Sequence, residues 1–434
     1  MLKVNVVGAG LAGCETAYYL AEHGIEVTLY DIKPNSFTPA HSDKNFAELV
    51  CSNSLKSNDV YGNAAGLLKE EMRRIGSITM EAAEFSKVPA GGALAVDRVA
   101  FAKYVTDKIS AHPKIKIESK EVTDIFSGEY TVIATGPLTE GTLAQRIEEL
   151  TGERLAFYDA SAPIVSFESI DKDHAFVGDR YDKGNGDHLN LPMNKEEYTL
   201  FIQELLTAER VKLHGFENSE VFEGCMPVEV MASRGKDTLR FGPLKPAGLT
   251  DPKTGRWPYA CLQLRKEDEN GTMYNLVGFQ TNLTWGEQKR VFGLIPALKN
   301  AEYYRYGVMH RNTFINSPKA LNKDLSLKNN DKVFFAGQIT GVEGYVESAA
   351  SGLLVGIYLE RKLNGKEFIE IPEHTVLGAL TKYVTTENKD FQPMNANFGI
   401  LAPPDMVIRD KAERKRFQAQ RSLDKLEQFL KETK

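Results

Sequence analysis

Two cysteines lie in surroundings that could support chemistry. Cys51 precedes the polar residues 52–54 and has Lys56 nearby. Polar neighbours would each need a partner if buried, and a positive charge favours the reactive thiolate. Cys225 follows Gly224 and precedes a proline two residues later, with a glutamate towards either end of this short segment; a glycine permits close approach of a substrate. Taken alone, each thiol is better explained as a small buried hydrophobic residue, so both are candidates that need further support.

The other two cysteines give no sign of chemistry. Cys14 lies on the first predicted helix and Cys261 in an apolar predicted strand, and we expect both to be buried. The four cysteines have no CxxC spacing and are too sparse for a disulfide framework or a zinc cluster. The sequence therefore predicts reduced thiols and no metal site.

A mixture of aromatic rings and cations marks residues 285–290 and 303–312. Stacking surfaces beside positive charge suit a pterin ring, a splayed-out base or a phosphate. Ordinary sheet packing explains any single aromatic residue equally well. His310, between a methionine and an arginine, is the residue that we select as the stacking candidate.

The element that must position these groups begins the chain. An apolar run at residues 2–7 meets the glycine-rich residues 8–13, and a helical pattern closed by a glycine and a second apolar run at residues 25–31 follow. This order predicts a dinucleotide site in which a helix N-terminus points its N–H groups at a pyrophosphate, while an acid at the end of the second strand binds a ribose. The predicted binding residues are Gly8, Ala9, Gly10, Leu11, Ala12, Gly13 and Asp31.

A second unit of this kind comes late in the chain. Residues 333–341 have the pattern of a strand that ends in glycines, and a helix rich in small residues is predicted from about residue 343 to 359. Such a unit would put a second helix N-terminus near the isoalloxazine end of a flavin, which a nicotinamide dehydrogenase does not require. We therefore predict FAD as the cofactor, with Gly337, Thr340 and Gly341 among its binding residues.

Between about residues 180 and 319 the strand–helix alternation gives way to glycine-punctuated strands. Residues 238–241, 259–264 and 273–279 have the pattern of an antiparallel sheet. The predicted fold is α/β, with a Rossmann-like, glutathione-reductase-like FAD-binding domain formed by residues 1–180 and 325–434. An inserted α+β domain, residues 181–324, would contain the antiparallel sheet and bind the substrate.

The composition is that of an ordinary globular protein. The 434 residues suffice for two or three domains, and the net charge of −6 gives no global attraction to nucleic acid, so an RNA contact would need a local basic patch. The basic residues of a predicted C-terminal helix, residues 410–431, are more simply explained as a solvated face. No run reaches eighteen apolar residues and no leader precedes the first strand. We expect a cytoplasmic protein without a membrane span.

Several motifs together resemble one family. They are residues 8–13, 47–55, 88–98, 222–228, 239–243, 277–281, 306–318 and 335–352. This set resembles the folate- and FAD-dependent tRNA (uracil-5-)-methyltransferase family, which is similar to the larger glucose-inhibited division protein A family. The resemblance covers residues 1 to about 360, and the remainder matches loosely.

The resemblance implies a flavoprotein that forms 5-methyluridine in the T-loop of tRNA. Methylenetetrahydrofolate would be the carbon donor, NADH or NADPH the reductant, and the reduced flavin the methylene carrier. Because carbon-5 of uracil is a poor nucleophile, a thiolate first adds to carbon-6. By motif, Cys225 matches this nucleophile and Cys51 matches the second essential thiol of the family. The second thiol would either remove the carbon-5 proton as a base or protect the flavin adduct. The reverse assignment of the two cysteines stays open. His310 matches a position that stacks on the folate pterin.

Other readings of the sequence stay open. The sequence is equally similar to a branch of the same family that acts on 23S rRNA. We favour tRNA as the substrate only because the family as a whole is one of tRNA methyltransferases. The C-terminal helical extension of the division-protein relatives is missing, which argues against wobble-uridine modification with a partner GTPase, and no obligate protein partner is inferred. Two alternatives lack methylation altogether: a flavin NAD(P)H oxidoreductase with Cys51 and Cys225 as a redox pair, and a non-catalytic, flavin-stabilised RNA-binding protein.

Overall fold

The structure is a computed structural model that describes residues 3–38, 40–182, 186–211, 226–389 and 391–433. Its strands are β1 Lys3–Val7, β2 Glu26–Asp31, β3 Ser54–Ser57, β4 Lys87–Val88, β5 Ala93–Val96, β6 Ile115–Ser119, β7 Tyr130–Ile133, β8 Arg154–Ala160, β9 Ile164–Ser166, β10 Phe176–Val177, β11 His188–Met193, β12 Ala260–Lys266, β13 Met273–Leu276, β14 Tyr303–Arg305, β15 Met309–Ile315, β16 Ser326–Leu327 and β17 Asn330–Phe335. Its α-helices are α1 Leu11–Glu22, α2 Ala64–Ile75, α3 Ile78–Phe85, α4 Arg98–Ala111, α5 Gly141–Thr151, α6 Lys195–Thr207, α7 Val228–Ser233, α8 Trp285–Phe292, α9 Ser317–Ala320, α10 Tyr345–Leu363, α11 Val376–Thr385 and α12 Lys411–Thr433.

The first sheet has the strand order β16-β17-β7-β1-β2-β6. β1 runs parallel to β2 on one side and to β7 on the other, so that Val6 lies beside Leu29 and Val132. All three side chains are fully buried, as expected for a parallel sheet covered on both faces. β17 is parallel to β7, and β16 pairs antiparallel with β17 at the edge. The predicted Rossmann-like frame is therefore confirmed.

Helices α1 and α10 pack so closely that Gly352 of α10 has no room for a side chain. A Cβ added to Gly352 would lie 2.1 Å from the carbonyl oxygen of Ala12, and the Thr16 hydroxyl donates to the Gly352 carbonyl oxygen at 2.7 Å. The small residues of the late helix are thus explained by this contact. It brings the two predicted glycine–helix units side by side.

The second sheet is antiparallel and has the order β10-β11-β12-β13-β9-β14. Leu191, Leu262 and Leu276 from its central strands form one core with Phe201 of α6 and Phe292 of α8. The strands predicted at residues 259–264 and 273–279 correspond to β12 and β13. Two of the strands, β9 and β10, precede residue 181, and the predicted domain boundaries stay a prediction.

The strand predicted at residues 238–241 is wrong. Thr238–Phe241 is a 3₁₀-helix, and the N–H groups of Gly242 and Leu244 both donate to the Leu239 carbonyl oxygen, at 3.1 and 2.8 Å. In a strand, Leu239 and Phe241 would share one face. Leu239 is instead fully buried and Phe241 is 84% exposed, which a tight turn allows.

Among the residues that the structure describes, no helix is both long and apolar enough to cross a membrane.

Candidate functional site

The glycine turn between β1 and α1 forms an open cradle. Gly8 has φ +100°, and a Cβ there would lie 2.5 Å from the Ala134 carbonyl oxygen, while a Cβ on Gly13 would lie 1.8 Å from the Gly8 carbonyl oxygen. Packing therefore requires both glycines. A Cβ on Gly10 would meet no described atom within 4 Å, although Gly10 is the residue from which α1 starts. This open space at a helix N-terminus fits a pyrophosphate.

Asp31 lies beside this cradle. Its Oδ2 accepts the Ala9 N–H at 2.6 Å, and its Oδ1 accepts the Lys33 N–H at 2.9 Å. Each carboxylate oxygen can accept a further hydrogen bond, so these contacts fix the carboxylate and leave capacity for ribose hydroxyls. The structure places Asp31 and the glycine turn together, and ribose binding stays a prediction.

The second glycine unit lies directly against the first. A Cβ on Gly337 would lie 2.9 Å from the Ala12 Cβ, and Gly341, with φ +87°, would bring a Cβ to 2.5 Å from a phenylalanine ring. Thr340 is fully buried and its hydroxyl donates to the Gly337 carbonyl oxygen at 2.8 Å. This hydroxyl therefore stabilises the turn itself. α10 begins at Tyr345, two residues later than predicted.

Cys51 is anchored at the start of α10. The N–H groups of Cys51 and Ser52 donate to the hydroxyl oxygen of Tyr345, at 2.5 and 3.1 Å. The polar segment predicted from the sequence therefore meets the helix that was predicted to face a flavin ring. Tyr345 was not predicted from the sequence, although its place directly after the late glycines was an available signal.

Three arginines from distant elements converge on the Cys51 segment. Arg98 of α4 donates through Nη1 to the peptide oxygen of Leu49 at 2.9 Å, and Arg265 of β12 donates through Nη2 to Ser52 Oγ at 3.0 Å. Arg305 of β14 lies near enough to act on the Cys51 thiol. None of these roles was predicted from the sequence. Arg265, which directly follows the mostly apolar residues 260–264 of β12, was one usable signal, because buried charges cluster at functional sites.

The surroundings of the Cys51 thiol favour its protonated form. Burial raises the pKa of the thiol and the Asp159 carboxylate adds to this rise, whereas Arg98 and Arg305 lower it. Lys56, expected to favour the thiolate, instead forms an ion pair at 2.8 Å with a buried glutamate of α10. The net shift of the pKa is upward, because burial and Asp159 outweigh the two arginines.

Arg98 and Glu267 form an ion pair that leaves two polar atoms unused. Arg98 Nε lies 2.7 Å from Glu267 Oε2, and the glutamate side chain is 2% exposed. Within the described part of the chain, Arg98 Nη2 and Glu267 Oε1 are buried and have no hydrogen-bond partner. Because buried polar atoms normally have partners, a polar group of a bound molecule fits this position.

A buried carboxyl, Glu343, belongs to the same cluster. Burial raises its pKa well above the usual range, and the nearby Asp159 carboxylate adds to this rise. The Gln338 amide donates to Glu343 Oε2 at 2.5 Å. The second glycine unit thus holds a buried carboxyl group whose protonated form is favoured, and no local pattern in the sequence singled it out.

Cys225, the predicted nucleophile, lies outside the described residues, but the chain on both sides of residues 212–225 is described. The Val211 N–H donates to the Asn282 carbonyl oxygen at 2.9 Å, and the Val228 N–H donates to the Gln280 carbonyl oxygen at 2.7 Å. Both flanks are therefore anchored on the short segment that leads into α8.

The remaining sequence candidates have clear positions. His310 lies on β15 opposite Asp159 of β8, so its strand reaches the Cys51 cluster; its side chain lies outside the described part, and pterin stacking stays a prediction. Cys14 and Cys261 are buried, as expected.

Basic side chains of the C-terminal helix form hydrogen bonds within the protein. On α12, Lys415 Nζ donates to the Gly62 carbonyl oxygen at 2.8 Å, and Arg421 Nη1 donates to the Pro403 carbonyl oxygen at 2.9 Å. These contacts favour a structural role for the basic residues over RNA contact.

A cavity of about 520 Å³ beside α11 and α12 is lined by none of the predicted site residues, so we place the candidate site at Cys51.

The fold and this arrangement define a dinucleotide-binding α/β protein with a thiol where two glycine–helix units meet. The model of one protein family, glucose inhibited division protein A, matches residues 3–367. The chain belongs to this family.

Curated relatives are similar over nearly the whole chain. The methylenetetrahydrofolate--tRNA-(uracil-5-)-methyltransferase TrmFO of Acetivibrio thermocellus is 55% identical over 429 residues, which cover 98% of each chain. The protein of the same name from Listeria monocytogenes serotype 4b is 55% identical over 432 residues and 99% of each chain. These relatives place the chain among the TrmFO-type members of the family.

Solved structures show the same fold. Two crystal forms of Aquifex aeolicus GidA give TM-scores of 0.70 and 0.71, with 14% and 15% identity. The match covers 99% of this chain, and 73% and 76% of those chains.

Proposed function

We propose that the protein is a methylenetetrahydrofolate- and FAD-dependent tRNA (uracil-5-)-methyltransferase that acts in the cytoplasm. It uses NADH or NADPH as reductant and forms 5-methyluridine in the T-loop. The observation that carries the proposal is the 55% identity, over 98% of both chains, to a relative that bears this name. The geometry supports it, since Cys51 is fixed at the start of α10, beside the second glycine unit.

The two glycine units fit FAD. The open space at Gly10 would hold the pyrophosphate, Asp31 the ribose, and the turn from Gly337 to Gly341 the isoalloxazine end. When bound, FAD would pass electrons from NAD(P)H and carry the methylene group taken from the folate. The chain's own contribution is to hold and orient these groups. The strand that carries His310 would lie beside the pterin ring of the folate.

Cys225 is assigned as the nucleophile. Its thiolate forms a bond to carbon-6 of the uracil, and the ring electrons move towards carbon-5, which then attacks the methylene carbon. Loss of the carbon-5 proton and cleavage of the bond between the methylene carbon and its carrier leave an exocyclic methylene on carbon-5, with the thiolate still bound at carbon-6. Two electrons and a proton, drawn ultimately from NAD(P)H, convert this methylene into the methyl group, and the resulting enolate expels the Cys225 thiolate and restores the ring double bond.

Cys51 is assigned as the group that takes the carbon-5 proton. A thiol must be ionised before it can accept a proton. Burial opposes the ionisation of the Cys51 thiol, whereas Arg98 and Arg305 favour it. The two arginines therefore act as positioning residues for the proton transfer. Their charges would also favour the developing enolate of the uracil.

The first test is methyl incorporation. Labelled methylenetetrahydrofolate, NADH and FAD are incubated with unmodified tRNA and with 23S rRNA fragments in parallel, and the nucleosides are analysed. Label in tRNA as 5-methyluridine is the expected result. Label only in rRNA would move the substrate and keep the mechanism, whereas NADH consumption with label in neither RNA would favour a flavin oxidoreductase.

Cysteine variants separate the thiol roles. Cys225→Ala should abolish methyl transfer and spare flavin reduction by NADH, and Cys51→Ala should still form a covalent complex with RNA through Cys225. Cys261→Ala is a matched control, because this thiol is fully buried in β12. A covalent RNA complex that survives Cys225→Ala and is lost in Cys51→Ala would reverse the assignment.

A further inference from the structure

Three aromatic rings form a column that ends at the protein surface. The rings of Tyr303 and Tyr306 are stacked with centroids 4.8 Å apart and an interplanar angle of 9°, and Trp285 stacks on Tyr306 at 5.4 Å and 11°. Tyr303 is partly buried, while Trp285 is 61% exposed. The indole therefore has one face on the column and a large area in contact with solvent.

A buried amide holds this column in place. Gln288 is fully buried. Its Nε2 donates to the carbonyl oxygens of Leu283 and Gly307, both at 2.8 Å, and its Oε1 accepts the Gly307 N–H at 2.8 Å. These bonds fasten the first turn of α8, which carries Trp285, to the residue that follows Tyr306.

The rings of the column directly adjoin, in the chain, two segments already described. Arg305, which lowers the pKa of Cys51, directly precedes Tyr306. Trp285 directly follows the segment 280–284, which anchors Val211 and Val228 on either side of residues 212–225. The column is thus continuous in the chain with the segment that carries Arg305 and with the segment on which residues 211 and 228 are anchored.

The charges beside the column suit a nucleic acid. Lys289 is exposed on α8, four residues after Trp285, so both side chains lie on one face of the helix. The neighbouring Arg290 is held by Glu287 at 2.8 Å. A base on the indole would thus have a cation within reach of its phosphate.

We propose that the column of Trp285, Tyr306 and Tyr303 is a stacking platform for one unpaired base of the RNA substrate, close to the uridine that reacts. The proposal rests on the proposed function for the identity of the RNA. Stacking on an aromatic ring accepts any base, so the platform supplies affinity and holds the RNA loop open rather than reading its sequence. Lys289 contacts the phosphate of the stacked nucleotide.

Substitution at Trp285 tests the platform, and the chain offers a matched control. Its other tryptophan, Trp257, is 57% exposed. Trp285→Ala should raise the KM and Kd for tRNA by roughly 5- to 150-fold, as one lost stacking contact predicts. Trp285→Phe should recover most of the affinity, and Trp257→Ala should leave it unchanged. The KM for methylenetetrahydrofolate and the rate of flavin reduction by NADH should not change in any variant.

Fluorescence gives a readout without turnover. In Trp257→Phe holoenzyme, Trp285 is the remaining tryptophan, and a T-loop RNA hairpin should quench its emission with the same Kd as in a filter-binding assay. Equal tRNA affinities of Trp285→Ala and Trp257→Ala would overturn the proposal, as would a raised KM for the folate alone, which would make the platform a pterin site. If the wild-type enzyme methylates no RNA, the proposed function fails, and quenching by the hairpin still decides whether the platform binds a base.

Discussion

The glycine turn and the Cys51 cluster are built on opposite principles. In the turn, the geometry depends on side chains that are missing: an added Cβ at Gly8 or Gly13 would overlap a carbonyl oxygen. At Cys51, it depends on side chains that are present, since Arg98 and Arg265 arrive from α4 and β12 to hold the segment. The turn is a local backbone structure, whereas the cluster is an assembly of distant parts.

This difference decides how each region fails. Adding atoms should damage the turn, because an interior packed at close range cannot absorb them. Removing atoms should damage the cluster, because a buried charge that loses its partner is costly. The two kinds of variant therefore test whether the contrast is real.

Arg98→Ala should give the largest effect. The substitution leaves the Glu267 carboxylate, whose side chain is 2% exposed, without its cation, and breaking such a buried pair costs about 3–5 kcal/mol. The free energy of unfolding from urea titration of the holoenzyme should fall by this amount. Methyl transfer should fall further, because the Cys51 segment loses an anchor.

A paired substitution serves as the control for Arg98. Replacing both partners with apolar residues, as in Arg98→Met with Glu267→Leu, removes both charges at once and should restore much of the lost stability. It should leave methyl transfer impaired. If the double variant is as unstable as Arg98→Ala, the loss comes from packing rather than from the stranded charge.

Two glycine substitutions test the turn at an intermediate level. Gly13→Ala would place its Cβ 1.8 Å from the Gly8 carbonyl oxygen, so it should destabilise the apoprotein by about 1–3 kcal/mol and abolish tight FAD binding. Gly10→Ala meets no described atom within 4 Å. It should keep the apoprotein stable and weaken FAD alone, which thermal unfolding and flavin titration can separate. Equal loss of stability in both would contradict the contrast.

The same contrast explains what the sequence could predict. The glycine turn, the strands β1 and β2 and the position of Asp31 were predictable, because their signals all lie within residues 2–31 and the local backbone carries the structure. The antiparallel strands β12 and β13 were found by the same kind of pattern. Residues 238–241 were mistaken for a strand, because the sequence does not reveal that Leu239 is buried while Phe241 is exposed.

The site was only partly predictable. Cys51 stood out through its polar neighbours, but the roles of Arg305 and Tyr345 depend on contacts across more than 250 positions of the chain, which no local pattern encodes. Lys56 shows the reverse error. Closeness in sequence made it the expected cation for Cys51, and the fold pairs it with Glu347 instead.

The smallest effect, and the most specific, should come from Arg305→Gln. The positive charge of Arg305 lowers the pKa of the Cys51 thiol, against burial and Asp159, so its removal should raise that pKa further. A step that needs the thiolate should then reach its maximum rate at higher pH. We expect kcat at pH 7.5 to fall by roughly tenfold and to recover as the pH is raised. Arg305→Lys, which keeps the charge, should stay close to the wild-type pH profile, and the rate of flavin reduction by NADH should not shift.

A lower kcat with an unchanged pH profile would mean that Arg305 orients the RNA or the folate and that other groups control the proton on Cys51. That result would weaken the view of this cluster as an electrostatic assembly.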